Sequence, residues 1–177
     1  MGFQREGPMF QIGTKVVYPG HGVGVIAGVQ EKSIQGLERK FFVLRLLENR
    51  MTIMIPTEHV ASIGLRPVID KEMATEVYRI LRTKKPPCDQ TNWTRRYKDY
   101  SERIRTGSII EIAKILRDLL ALKSEKELSF SERTMLDTVR NLLVEELAVA
   151  THNPEEKILA ELHEMFMTNA ARPIFSA

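Results

Sequence analysis

The hydrophobic period of the chain changes near residue 66, and this change constrains the fold more than any single motif. Before it, short segments rich in β-branched and aromatic residues alternate with turn-forming residues. The segments are TKVVYP, GVGVIAGVQEK, RKFFVLRLL and RMTIMIP, and the turns between them are PGHG, SIQG and LENR. About four or five strands of this kind are too few for a sandwich, so they predict a small, strongly bent barrel of the SH3 or Tudor type.

After this point the apolar residues recur at helical spacing, and several helix start signals follow one another. Asp70 is suited to cap a helix that runs to about Thr83, where KKPP stops it, and Thr91 or Asn92 is suited to cap the next, which ends at Gly107. Three further starts pair a capping residue with an acid three positions later: Ser108 with Glu111, Ser129 with Glu132, and Asn153 with Glu156, where Pro154 takes the first helical position. The predicted apolar stripes of two of these helices are Ile109, Ile112, Ile115, Leu116, Leu119 and Leu136, Val139, Leu143, Leu147.

The predicted fold class is therefore α+β and multidomain, with a small N-terminal SH3/Tudor-like β barrel followed by a C-terminal all-α helical bundle. At 177 residues, 43% of them hydrophobic, the chain can bury a core in one or two small domains. We expect a flexible N-terminal extension over 1–9, the barrel over 10–67, the helical domain over 68–168 and a tail over 169–177.

The composition also indicates the cellular compartment of the protein. No apolar run approaches the roughly 18 to 20 residues that span a bilayer, and MGFQREGPMF lacks the apolar segment of a secretory signal. Cys88 stands alone in the sequence and cannot form an internal disulfide, which fits a reducing environment. We therefore expect a cytoplasmic protein without a membrane partner, and a monomer.

Basic residues are concentrated in one segment. Between residues 79 and 105 the chain carries nine Lys and Arg against three acids, a net charge of +6, although the whole chain carries only +3. Such a basic island concentrates the attraction for phosphate groups at one place. A nucleic-acid site and a solvated helix face are both compatible with this charge run.

Catalytic and metal-binding patterns are absent from the sequence. The histidines, His21, His59, His152 and His163, pair with no acid or cysteine at ligand spacing. GHGVG resembles a phosphate-binding loop, but strand-like VIAGV follows where a dinucleotide site requires a helix. Gly20, Gly22 and Gly24 are therefore predicted to be turn and bulge residues of the barrel. We expect no enzyme activity, no cofactor and no metal.

Trp93, the only tryptophan, lies at the start of the basic helix TNWTRRYKDYSERIRTG. Its side of a helical wheel also carries Tyr97, Tyr100 and Ile104, which we predict to be core residues. The far side carries Arg95, Lys98 and Arg105. Trp93 itself can belong to the core or can project from the first turn, where free N–H groups favour an anion. A projecting aromatic beside arginines would suit a DNA minor groove, where apolar side chains open a base step.

With these residues in view, the chain from about Phe10 to Met167 resembles the CarD/CdnL family of bacterial RNA polymerase-binding transcription regulators. The motifs that carry the resemblance are GTKVVYPGHGVG, IMIP, TNWTRRYK, LRDL and LSFSERTMLDTVRNLLVEELA, in this order. The barrel is also similar to the polymerase-interacting module of transcription-repair coupling factors. Those are motor proteins, and this chain has no G-x-x-x-x-G-K-S/T motif.

The resemblance implies a protein that binds RNA polymerase and promoter DNA together. The barrel would pair an edge strand with the polymerase β subunit, an instance of β-augmentation. The helical domain would contact the upstream edge of the −10 element and stabilise the open complex, typically at promoters of stable RNAs such as ribosomal RNA. Contacts to phosphates and to a distorted minor groove would suffice, without a base-specific code. The protein would then be nucleoid-associated through polymerase.

The resemblance also assigns roles to individual residues. Trp93 would be the minor-groove wedge, with Arg95 and Lys98 on phosphates beside it. Arg96 would be the fourth DNA-binding residue, on a part of the helix nearer its apolar side. On the barrel, Lys32, Met54 and Pro56 match positions that face polymerase. Some relatives carry arginine where Met54 stands, which implies a weaker ionic and a larger apolar contribution here. Several relatives carry an apolar residue where Ser101 stands.

A second function class fits the same basic helix. A protein-interaction adaptor could use it to bind an acidic protein partner and not DNA. Salt dependence separates the two hypotheses, because contacts to several phosphates make DNA affinity fall steeply with ionic strength.

Overall fold

The structure is a computed structural model that describes residues 10–83 and 92–170, with side chains described as far as Phe166. The predicted N-terminal extension, the residues from Lys84 to Thr91, including Cys88, and the end of the predicted tail lie outside the described residues. The chain divides into two compact units. The barrel unit comprises the residues up to Val68 together with Arg105–Gly107, and the helical unit comprises Ile69–Ile104 and the residues from Ser108 onward.

The barrel unit is built on one five-stranded antiparallel sheet, with strands in the order β4-β3-β2-β1-β5. The strands are β1 (Lys15–Tyr18), β2 (Gly22–Ile34), β3 (Leu37–Leu46), β4 (Thr52–Pro56) and β5 (Arg66–Pro67). A 3-10 turn (Thr57–His59) and a short helix, α1 (Val60–Ile63), connect β4 to β5. The core contains Phe10, Val16, Ile26, Phe42, Leu44, Leu46, Ile55, Val60 and Leu65. The predicted strands are confirmed, and so is the α+β fold class with its small Tudor-like first domain.

Strands β2 and β3 form a longer hairpin than the sequence predicts. The ladder continues past Lys32 and Arg39 to the pair Ile34 and Leu37. Gln35 and Gly36 alone form the turn, with φ of 53° and 78°. Positive φ at both central residues is the geometry of the type I′ turn that suits the twist of a hairpin. A two-residue turn fixes the register of every pair along the two strands.

The glycines at the start of the barrel have different roles. Gly20 and Gly22 have φ of 76° and 95°, as expected for turn residues. Gly24 lies within regular pairing, and a Cβ there would come within 2.7 Å of Leu44 Cδ1. The irregularity of β2 falls between Ile26 and Gly28. The prediction of a bulge at Gly24 is therefore wrong, because this residue is small to allow a close approach of Leu44.

The helical unit contains α2 (Lys71–Arg82), α3 (Trp93–Arg105), α4 (Ile109–Glu125), α5 (Phe130–Thr151) and α6 (Glu155–Ala170). Asp70 caps α2, accepting from Met73 N at 2.8 Å, and Ser108 caps α4. Asn92 Oδ1 accepts from Thr94 N at 3.1 Å, so of the two predicted caps for α3 the structure describes Asn92. Helix α6 begins one residue later than predicted, and Asn153 Oδ1 accepts from the Lys157 side chain. Among the described residues no helix is both long and apolar enough to cross a bilayer.

The core of the helical unit confirms the predicted apolar stripes of α4 and α5, whose members are all buried. Tyr100 and Ile104 are buried as well, as the helical wheel predicts. Tyr97 is 48% exposed, so the prediction that it is a core residue is wrong.

Candidate functional sites

Trp93 is the first residue of α3 and is half-buried against the core of the helical unit. Its ring centre lies 5.7 Å from that of Tyr97 and 6.4 Å from that of Tyr100, with both rings edge-on to it. Its Nε1 donates a hydrogen bond of 3.0 Å to Ser131 Oγ, near the start of α5. The indole is therefore packed along part of its surface and open to solvent along the rest.

Arg96, one turn later, faces inward. It is only 9% exposed, and its guanidinium carbon lies 5.3 Å from the centre of the Trp93 ring. Its Nη2 donates to Glu132 Oε1 at 3.0 Å. Arg96 is therefore set apart from Arg95 and Lys98, which are exposed.

Glu132 joins the helix cap of α5 to this arrangement. Its Oε2 accepts from the Ser129 backbone N–H at 2.8 Å, and Ser129 Oγ accepts from Glu132 N in return, which is the capping box predicted from the sequence. Its Oε1 accepts from Arg96 and also from Lys126 Nζ at 3.3 Å. Burial acts to raise the pKa of Glu132, but the hydrogen bonds from Ser129 and Lys126 outweigh burial and lower it below its ordinary value.

Most described cations of the basic island are engaged within the helical unit. Arg103 bridges Asp99 and Glu111, Arg79 pairs with Glu76, and the Arg82 guanidinium lies over the Tyr78 ring. Arg95 and Lys98 have no salt bridge within residues 10–83 and 92–166. Two exposed cations without a salt bridge in these ranges thus follow Trp93 within five positions of α3.

Phe130 is a surface residue that the sequence interpretation missed. It is the first residue of α5, is 80% exposed, and directly precedes Ser131, the hydrogen-bond partner of Trp93. A signal for it was present in the sequence, because Phe130 is out of phase with the apolar stripe of α5. Phe130 thus adds an exposed aromatic ring at the start of α5, next to the residue that accepts from Trp93.

On the barrel unit, the strand register brings Lys32, Met54 and Pro56 to one face of the sheet. Lys32 lies opposite Arg39, Pro56 opposite Phe41, and Met54 opposite Val43. Directly paired residues share a face, and alternate residues of β3 point to the same side. The face therefore also includes Arg39, Phe41 and Val43, three β3 residues that the sequence interpretation did not single out.

Strand β4 ends the sheet order, and among the described residues it pairs only with β3. An edge strand presents backbone N–H and C=O groups that can pair with a strand of another chain. Arg39 Nη1 lies 3.0 Å from Glu58 Oε1 just past this edge. Nowhere in the described part of the chain do three or more His, Cys, Asp or Glu residues form a group that could hold a metal ion.

Comparisons with known proteins cover both units. The family model CarD-like/TRCF RID domain matches residues 10–69, and the model CarD, C-terminal domain matches residues 76–163. YdeB of Bacillus subtilis (strain 168), described as a candidate transcription factor, is 38% identical over 151 residues, which are 85% of this chain and 97% of that protein. The solved structure "CdnLNt from Myxoccoccus xanthus" is 46% identical and covers 37% of this chain and 92% of its own, with a TM-score of 0.32.

The two family models match in the order expected from the sequence motifs, and together they span most of the chain. The similarity to the Bacillus protein extends over nearly the whole of that relative. The chain belongs to the CarD/CdnL family of bacterial RNA polymerase-binding transcription regulators.

Proposed function

We propose that the helical unit binds promoter DNA at the upstream edge of the −10 element and stabilises the open complex. Trp93 acts as the minor-groove wedge, and Arg95 and Lys98 hold phosphates beside it. One observation carries this proposal. A half-exposed indole begins α3, and two exposed cations without salt bridges in the described residues follow within five positions.

The chemistry of this surface suits distorted DNA. An apolar side chain inserted at a base step stabilises partly unstacked DNA, and cations on both sides of the step retain the backbone. Phe130 extends the apolar surface next to Ser131. Because cations and rings recognise phosphates and shape, little base specificity results.

We further propose that the barrel unit contacts the polymerase β subunit through the free edge of β4 and the face that carries Lys32, Met54 and Pro56. The half-buried Met54 and Val43, paired across the ladder, supply an apolar centre, and Lys32 supplies positive charge beside it. Binding to polymerase raises the local concentration of the helical unit near the promoter, so weak DNA contacts suffice. The protein then works as a monomer in the cytoplasm, on the nucleoid.

The test of the DNA role is the open-complex lifetime at a ribosomal RNA promoter with polymerase holoenzyme. The wild-type protein should lengthen the lifetime, and Trp93→Ala should remove about 1 to 3 kcal/mol of stabilisation, which is about tenfold in lifetime for each 1.4 kcal/mol. Trp93→Phe should retain part of the effect. A lifetime with Trp93→Ala equal to that with the wild-type protein would contradict the wedge role and favour an adaptor for an acidic protein.

The test of the barrel role compares two methionines that lie close together in the sequence. Met54→Asp should abolish capture of the β subunit, because it places a charge in the apolar centre of the face. Met51→Asp is the matched control, since Met51 is exposed and precedes β4. Equal capture by both variants would show that this face is not the polymerase contact.

A further inference from the structure

The indole of Trp93 meets the buried Arg96 at its ring and Ser131 at its Nε1, and we propose that Arg96 and Ser131 are positioning residues that hold it in one orientation. In this orientation the indole offers only carbon surface to a partner. The inference rests on the proposed function, because it assigns to Arg96 a role through Trp93 and not on phosphate.

Arg96 is buried against the ring of Trp93. Arginine side chains on a surface ordinarily keep the guanidinium in water, and burial of this group is costly unless the charge is paired. Here the guanidinium is buried, with the Trp93 ring on one side and Glu132 as its ionic partner. Arg96 Nε has no hydrogen-bond partner among the described residues, so the group is not in the geometry that best satisfies its donors. It does meet the face of the indole, where a cation is attracted.

Ser131 engages the polar edge of the indole. Nε1–H is the only hydrogen-bond donor of a tryptophan side chain, and Ser131 Oγ accepts it at 3.0 Å. With this donor engaged, the ring cannot bond to a base edge or to a phosphate without breaking the bond to Ser131. The exposed part of the indole therefore recognises shape and apolar surface only.

Glu132 anchors both elements. It belongs to the capping box of α5, so its carboxylate is fixed to the first turn of that helix, next to Ser131. The hydrogen bonds that Arg96 donates to Glu132 and Trp93 donates to Ser131 thus tie the start of α3 to the start of α5 through neighbouring residues. A wedge that is already ordered loses less conformational freedom on binding.

The orientation can be measured without DNA, because Trp93 is the only tryptophan among the 177 residues of the sequence. Time-resolved fluorescence anisotropy and acrylamide quenching report the local motion and exposure of the indole. Arg96→Met and Ser131→Ala should each raise the amplitude of nanosecond local motion by about twofold or more, a timescale typical of exposed side chains. Both should also shorten the open-complex lifetime, although Trp93, Arg95 and Lys98 are retained.

Matched controls separate positioning from general loosening of the fold. Arg117→Met removes another arginine of a mostly buried ion pair, with Asp118 on α4, and Ser124→Ala removes another helix-end hydroxyl. Neither should change the anisotropy decay. Unchanged indole motion in both Arg96→Met and Ser131→Ala, or equal changes in the controls, would overturn the inference.

The proposed function can fail independently. If Trp93→Ala has no effect on the lifetime while Arg96→Met still loosens the indole, the wedge role fails and the positioning stands. If Trp93→Ala shortens the lifetime while Arg96→Met and Ser131→Ala leave both the lifetime and the indole motion unchanged, the wedge role stands and the positioning fails.

Discussion

Lys32 and Arg39 lie directly opposite each other in the β2–β3 ladder, so two like charges share one face of the barrel unit. Arg39 is partly neutralised by Glu58, whereas Lys32 has no salt bridge within the described part of the chain. Like charges in directly opposed positions destabilise a sheet. An arrangement that costs stability in the free protein is favourable when a partner supplies negative charge.

Lys32→Glu should therefore improve the stability of the free protein and weaken its function. Replacing repulsion by attraction across the ladder should raise the free energy of unfolding by about 0.2 to 1 kcal/mol. Capture of the polymerase β subunit should decrease. Denaturant unfolding and pull-down would measure the two effects, with Lys15→Glu on the exposed surface of β1 as the control. If Lys32→Glu captured the β subunit as strongly as the wild-type protein does, Lys32 would not be part of the interface.

Arg95 and Lys98 of α3 should contribute to the salt dependence of DNA binding. Each lost phosphate contact reduces the slope of log K against log salt by about 0.9, so Arg95→Gln with Lys98→Gln should reduce it by about 1.8. Affinity for a forked promoter fragment would be measured with polymerase over a range of salt concentrations. The double substitution Lys71→Gln and Lys123→Gln serves as the control, and equal slopes for the two double variants would contradict the phosphate contacts.

Phe130→Ala should separate stability from DNA binding. Because the side chain is 80% exposed, its removal should change the free energy of unfolding by no more than about 0.5 kcal/mol. The open-complex lifetime should decrease, since the apolar surface next to the wedge is lost. Leu159→Ala, at another exposed apolar position on α6, should affect neither quantity. If the open-complex lifetime were unchanged with Phe130→Ala, Phe130 would not take part in the apolar contact with DNA that is proposed for Trp93.

The lowered pKa of Glu132 predicts a pH dependence of stability. A carboxyl whose pKa is lower in the folded state stabilises the fold above its unfolded pKa, and this contribution is lost as pH falls through the folded pKa. At pH values above 4.5, the ordinary pKa of this carboxyl, the wild-type protein should therefore have a larger free energy of unfolding than Glu132→Gln. The difference should decrease in more acidic solution. Urea unfolding at a series of pH values would measure it, and a difference independent of pH would show that the charge of Glu132 is not what stabilises the site.

Much of the fold could be predicted from local sequence because its signals are local. The capping residues Asp70, Ser108 and Ser129 act on N–H groups within three positions, and the apolar stripes of α4 and α5 follow a fixed period. Tyr97 was mispredicted for the opposite reason. A helical wheel gives the side of a residue but not how far neighbouring helices cover that side at each turn.

The candidate sites depended on partners distant in the sequence. Arg96 binds Glu132, and Trp93 binds Ser131, at separations of 36 and 38 residues that no local pattern encodes. In the sequence of the barrel unit, nothing distinguishes Phe41 and Val43 from other strand residues. Only the register, which sets them opposite Pro56 and Met54, assigns them to the same face as Lys32.

The turn at Gln35 and Gly36 has a consequence for how this protein can be altered. Side chains alternate between the two faces of a strand, so a one-residue shift of the β2–β3 pairing, which a residue inserted into that turn would promote, would set Lys32 opposite a residue of the other face. The composition would scarcely change, and the helical unit would keep its own core. The two-residue turn thus decides whether the charged and apolar side chains of neighbouring strands form one continuous surface for another molecule.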